Sequence, residues 1–251
     1  MKIALPRPVL IRALTAAALT TTVVLAGCSN TGQLADQLQK SGLLKGVGGA
    51  LSIDEITAGL KEALSKGSTA VVGQLGSAGG FSADESVRIP LPSTLAKARD
   101  FAAKVGLDGS FNNLENKLNE AAELATPKAK TLFLGAIKQM SVEDAKSILS
   151  GPDDAATKFF ESKTRSQLAS DMRPIVDNSL SQVGAVNTFN QLADRYKRIP
   201  LAPKVDADLT GHVVSKGMDG IFKYLAQEEK AIRENPAART TELLKKVFAS
   251  Q

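Results

Sequence analysis

Apolar side chains recur at intervals of three and four along most of the chain, starting with Ile53, Ile56, Leu60 and Leu64, the spacing that gathers them on one face of an α-helix. Ser52 and Glu55 form a capping-box pattern just ahead of that run. A glycine-rich stretch, "GQLGSAGGFSADESVRIPLP", then breaks the periodicity. Pro90 and Pro92 lack amide donors and push the residues before them into extended geometry. This segment reads as a long loop.

Helical phasing returns with Leu95, Ala98, Phe101 and Val105, stops at Gly106, and resumes with Phe111, Leu114, Leu118 and Ala122, for which Ser110 is the expected N-cap. Thr126-Pro127 has the form of a cap followed by proline at the first helical position, so a new helix is expected to open there. Ser141 is expected to cap "VEDAKSIL", with Glu143 and Asp144 in a first turn where the helix dipole favours negative charge. Gly151-Pro152 breaks the chain again. Asp153 and Asp154 are expected to head a helix bearing Phe159 and Phe160 and running on past Leu168 and Met172.

Pro174 marks a further start or kink, Gly184 separates Val183 from Val186, and "KRIPLAPKVDAD" is a second proline loop. Asp208 caps a segment with Leu209, Val213, Ile221, Phe222 and Leu225 in phase, and Asn235-Pro236 is expected to open the last helix. Alternation with period two is nearly missing. The fold expected is therefore all-α, an irregular bundle of about nine helices in one domain. "RIPLP" at Arg88 and "RIPLAP" at Arg198 have flanks that do not align, so no duplication is inferred.

The N-terminal segment changes this picture. Lys2, Arg7 and Arg12 precede Ala13 to Gly27, a run with no charge and four threonines, which is the plan of a secretory signal. The run is too short for a membrane span, which needs roughly 20 apolar residues. Leu25-Ala26-Gly27-Cys28 matches the lipobox of bacterial lipoproteins. Cleavage between Gly27 and Cys28 and acylation of the Cys28 thiol are expected, giving 1–27 as signal peptide, 28–50 as a tether and 51–251 as the helical domain. Ser29, where aspartate would resemble an inner-membrane retention signal, favours the periplasmic face of the outer membrane. Cys28 has no second cysteine in the chain to pair with.

Losing three bases with the signal alters the charge. The full chain carries 31 basic and 26 acidic side chains; the mature chain keeps 28 against 26, a net of +2. No block of consecutive bases is longer than Lys245-Lys246, so the clustered positive face of a nucleic-acid binder is not expected.

The segments "DEITAGLKEAL", "VRIPLPSTL", "FLGAIKQMSVEDAKSILSGPDDAATKFF", "MRPIV" and "EEKAIRENPAARTTELLKKVF" resemble, in order and spacing from about Leu51 to Phe248, the bacterial envelope proteins catalogued as domain of unknown function 4197. The resemblance implies a helical domain of Gram-negative bacteria, often exported, with no established activity and no catalytic residue to carry over.

Candidate chemistry is sparse. His212 is the single histidine, too few for a histidine-based zinc site, and no Gly-x-Ser-x-Gly elbow accompanies it. Asp153 and Asp154, with Glu143 or Asp144, are candidates for a carboxylate or cation site, with helix capping as the alternative. Arg88, on its proline-stiffened loop, would present a fixed fork to a carboxylate or phosphate, or else tie the loop to the bundle. Glu228-Glu229-Lys230 and Arg233-Glu234 read as a solvated face. Phe133, Phe159, Phe160 and Phe222 are expected in the core, or lining a slot for an apolar ligand if one helix pair leaves a gap. The expectation is a non-enzymatic, lipid-anchored protein with no cofactor and no metal, binding an envelope partner through the Arg88 face; a carrier or sensor of a small apolar ligand is the alternative, and a hydrolase using His212 or the Asp153 pair comes third.

Overall fold

A computed structural model of the chain describes residues 51–104, 106, 108–143, 145–200 and 206–249. The expected signal peptide, the tether and Cys28 lie outside the described residues, as does Asp144. Eight α-helices and one short 3₁₀ turn, Pro236–Ala238, make up the described chain: α1 Ile53–Leu75, α2 Ser93–Ala103, α3 Gly109–Gln139, α4 Ala145–Leu149, α5 Ala155–Gln182, α6 Ala185–Tyr196, α7 Leu209–Glu234 and α8 Glu242–Val247. Among the described residues there is no strand, and no helix is long and apolar enough to cross a membrane. The fold is all-α, a single helical domain with slightly fewer helices than expected.

The count falls because two prolines sit inside helices instead of opening them. Pro127 lies within α3, where the missing amide and the ring's clash with the preceding turn cost about 3 kcal/mol. Packing runs straight across it: Leu118, Ala121, Ala122 and Ala125 before the proline, and Ala129, Phe133 and Ile137 after it, are all buried. The Thr126 hydroxyl donates to the Ala122 carbonyl at 2.7 Å, and the Pro127 ring lies against Gly76, where a Cβ would come within 2.6 Å of the ring. Pro174 is likewise internal to α5.

α1 begins with the expected capping box: the Glu55 amide donates to Ser52 Oγ at 3.1 Å and the Ser52 amide to Glu55 Oε2 at 3.0 Å. Its buried face carries two glycines. A Cβ on Gly59 would lie 2.6 Å from Val247 of α8, and one on Gly67 would lie 2.7 Å from Leu225 of α7. Both helices therefore approach α1 closely because those side chains are missing. Phe133, Phe160 and Phe222 join α3, α5 and α7 with ring centroids 6.4, 6.0 and 5.9 Å apart, the offset and edge contacts that aromatic quadrupoles favour.

Several expected caps are replaced. α3 has Asp108 at its N-cap position with no side-chain bond, and the Ser141 hydroxyl turns to Glu143 at 3.5 Å. Asn235 accepts from the Ala237 amide but opens only the 3₁₀ turn, and Thr241 caps the last helix. Asp154 stands at the N-cap of α5 without bonding it. The first amides of α5 are taken instead by Glu229 of α7: Ala156 N donates at 3.0 Å, Thr157 N at 2.7 Å and Thr157 Oγ1 at 2.7 Å.

That contact overturns the solvated-face expectation for Glu229 and Arg233, each only 2% exposed. Arg233 Nε donates to Glu229 at 2.9 Å, and its other nitrogens reach the carbonyls of Leu149 at 2.7 Å and Ile148 at 3.0 Å. The guanidinium also stacks 5.6 Å from the Phe248 ring centre. Arg239 donates to the carbonyls of Ile232 and Arg233. One buried junction thus closes the end of α4, the start of α5 and the end of α7, satisfying groups that helix termini leave open.

Candidate functional site

The loop of residues 76–92 is built into the bundle. Phe81, Val87, Ile89 and Leu91 are buried, and α3 holds the main chain around them with Glu115, Asn119 and Glu123, spaced four apart and therefore on one helix face. Glu123 accepts from the amides of Phe81 and Ser82 at 3.1 and 3.0 Å and from Ser82 Oγ at 2.9 Å. Asn119 accepts from the Ile89 amide and donates to the Ile89 carbonyl, both at 2.9 Å. Glu115 accepts from Arg88 Nε at 3.0 Å.

Arg88 uses its remaining nitrogens in the same way, donating to the Ser82 carbonyl at 2.7 Å and to Asn116 Oδ1 at 3.1 Å. All three nitrogens have partners in the protein, so the fork ties the loop down through α3. On its outer side Arg88 shares a shallow depression of about 230 Å³ with Lys216 and Lys223. The loop's far edge is fixed by α7: Tyr224 donates its hydroxyl to Asp84, which holds the Asp84 carboxyl below its ordinary value and raises Tyr224.

The other sequence candidates stay apart. Asp154 pairs with Lys158 at 2.8 Å and Asp153 with Lys230 at 3.5 Å, beside a depression bordered by Ala226 and Gln227. Glu143 lines a different hollow. His212 Nε2 meets the Pro90 carbonyl at 2.7 Å, and no serine hydroxyl bonds to it among the described residues. Those residues contain no group of three His, Cys, Asp or Glu placed to hold a metal ion.

A groove of about 600 Å³ lies between α3 and α5. The two helices run antiparallel, as Phe133 meets Phe160 while Lys128 reaches Gln182 at 3.5 Å. Leu132 and Ala136 of α3, Met140 just past its end, and Phe159 and Leu168 of α5 supply an apolar floor, and Gln139, Lys163, Gln167 and Asp171 supply polar edges. Phe159 is the one phenylalanine of the expected four that lines it; Phe133, Phe160 and Phe222 turn to the core. Glu143 is shared with an adjoining depression of about 240 Å³ bordered by Ile53 and Lys146. Ile53 is 55% exposed there, so apolar surface continues past the groove's end. The sequence hinted at such a gap only through its phenylalanines; the small residues Gly135 and Ala136 make it.

The class defined by these features is an all-helical domain with a strapped loop and an open interhelical groove. The family described as "Protein of unknown function (DUF4197)" matches residues 50–249, and the chain belongs to it. No curated protein and no solved structure matches the chain.

Proposed function

We propose that this chain is a lipid-anchored protein of the bacterial envelope, held through Cys28 at the periplasmic face of the outer membrane, that binds a segment of another envelope protein and catalyses nothing. The lipobox ending at Cys28 and the uncharged run before it support the anchor. Each buried methylene adds about 0.8 kcal/mol, so two or three acyl chains on one cysteine hold a protein at the bilayer where a single chain does not.

The observation that carries the binding role is the α3/α5 groove, apolar along its floor, polar at its edges and open along its length. Arg88, the sequence candidate for contacting the partner, is engaged within the protein, so the binding face moves to the groove. A small apolar ligand would leave one side in water here, whereas an amphipathic protein segment covers the floor and keeps its own polar face solvated.

Labelled palmitate should mark the wild-type chain and not Cys28→Ser, and that variant should leave the membrane fraction. Benzoyl-phenylalanine placed at Gln139 in the lipidated full chain should, on illumination of living cells, form adducts with a protein segment identifiable by mass spectrometry. A lipid-sized adduct, or none, removes the partner reading.

A further inference from the structure

Gly135 has no packing reason to be glycine. In a helix interior glycine costs about 1 kcal/mol relative to alanine, and at Gly59 and Gly67 the close approach of Val247 and Leu225 explains why it is tolerated. A Cβ on Gly135 would meet no atom within 4 Å. Gly73 and Gly217 share that open surround, but neither lines the groove. At Gly135 the missing side chain leaves a notch in the α3 wall beside Ala136, facing the α5 wall that carries Phe159.

The charges on the groove have a pattern of their own. Glu143 stands at the end where α3 stops, Asp171 at the opposite end, and Lys163 between them. Glu143 accepts from the Ser141 hydroxyl at 3.5 Å, Asp171 accepts from Gln167 at 2.9 Å, and Lys163 lies 5.6 Å from the Phe159 ring centre. Among the described residues none of the three is in an ion pair, so each can pair with a charge from outside. From Phe159 to Asp171 the α5 wall rises for twelve residues, about 18 Å at 1.5 Å per residue.

On the reading that the groove binds a protein segment, we propose that its occupant is an amphipathic α-helix that seats one large apolar side chain at Gly135 and carries basic residues toward both ends with an acid between them. A helix of three to four turns spans the groove, and laying it between two antiparallel helices is ridge-into-groove packing. Its basic ends meet Asp171 and Glu143, and its central carboxylate meets Lys163. An acyl chain offers no partner for three alternating charges spread over that length.

The test uses the Gln139 photoreactive reporter in the full, lipidated chain and compares two backgrounds. Gly135→Leu fills the notch, and the triple reversal Glu143→Lys, Lys163→Glu, Asp171→Lys inverts the charge pattern. Each should cut adduct yield by about tenfold or more, the loss expected for a central anchor or a mismatched charge set, while thermal melting shows both variants folded. The adducted segment should read as an amphipathic helix with basic ends. Yields unchanged in both backgrounds, or a segment with acidic ends, overturn the helix while leaving the groove a protein-binding site. Absence of any protein adduct from the wild-type reporter takes both readings down.

Discussion

At Glu229 one carboxylate receives two α5 amides, the Thr157 hydroxyl and the Arg233 guanidinium, all out of water. Replacing it with alanine removes the carboxylate that balances the buried Arg233 charge and accepts two helix-end amides, a loss of about 3–5 kcal/mol. Urea unfolding of Glu229→Ala should show a midpoint lowered accordingly. Lys158→Ala removes a 2.8 Å pair that is open to solvent on both sides and should shift stability by no more than about 0.5 kcal/mol. Ile221, Leu225, Glu229 and Arg233 recur every four residues, which places the last two on the apolar face of α7. Their charge points the other way, toward a solvated face, and the phase decides. Arg88 is the converse case: residue type and stiff loop marked it as noteworthy, but the partners that engage it, Glu115 and Asn116, lie 27 and 28 residues away and no local pattern points to them.

Among the helices, α1 and α3 show two opposite uses of glycine. Gly59→Ala should gain the helix-propensity term of about 1 kcal/mol yet force its Cβ onto Val247, whose Cβ and both methyls stand within 2.9 Å of it. Overpacking of that kind costs about 1–3 kcal/mol, so α8 should loosen and the melting temperature fall. Adding Val247→Ala should return part of the loss in the double variant, a coupling the single variants cannot show. Gly135→Ala meets nothing and should stabilise α3 by about 1 kcal/mol in denaturant unfolding. Helix type and most faces were legible from spacing, because burial selects for it directly. The boundary expected at Pro127 was not, since the local capping signal there loses to packing against Gly76; at Asp154 the helix starts where expected, but its first amides go to Glu229. The groove's position was not legible for a related reason: a gap consists of atoms that two distant segments both lack, and only Phe159 of the four phenylalanines lines it.

Taken as one molecule, the protein fastens separate elements with carboxylates that resist protonation. Glu55 at the start of α1 is lowered from 4.5 to about 2, first by its bond to Lys246 of α8 and then by the Ser52 amide. Asp208 at the start of α7 is lowered by the Gly211 amide and then by Arg173 of α5. Asp84 in the loop is lowered by Tyr224 of α7 and by Ser86. A carboxyl with a depressed folded-state value adds stability that is complete above its ordinary value and disappears as pH falls through the folded one. Unfolding in that window must therefore take up protons. Stability should hold from neutrality to the ordinary carboxylate range and then fall steeply toward about pH 2, with a slope set by the protons bound on unfolding. In the variant carrying Glu55→Gln, Asp84→Asn and Asp208→Asn, the neutral-pH stability should be lower and the acid slope flatter, because the amides have nothing to titrate. Urea midpoints measured at several pH values on both proteins decide it: parallel curves would mean that acid unfolding proceeds through other carboxylates, and that these three ties between elements do not control it.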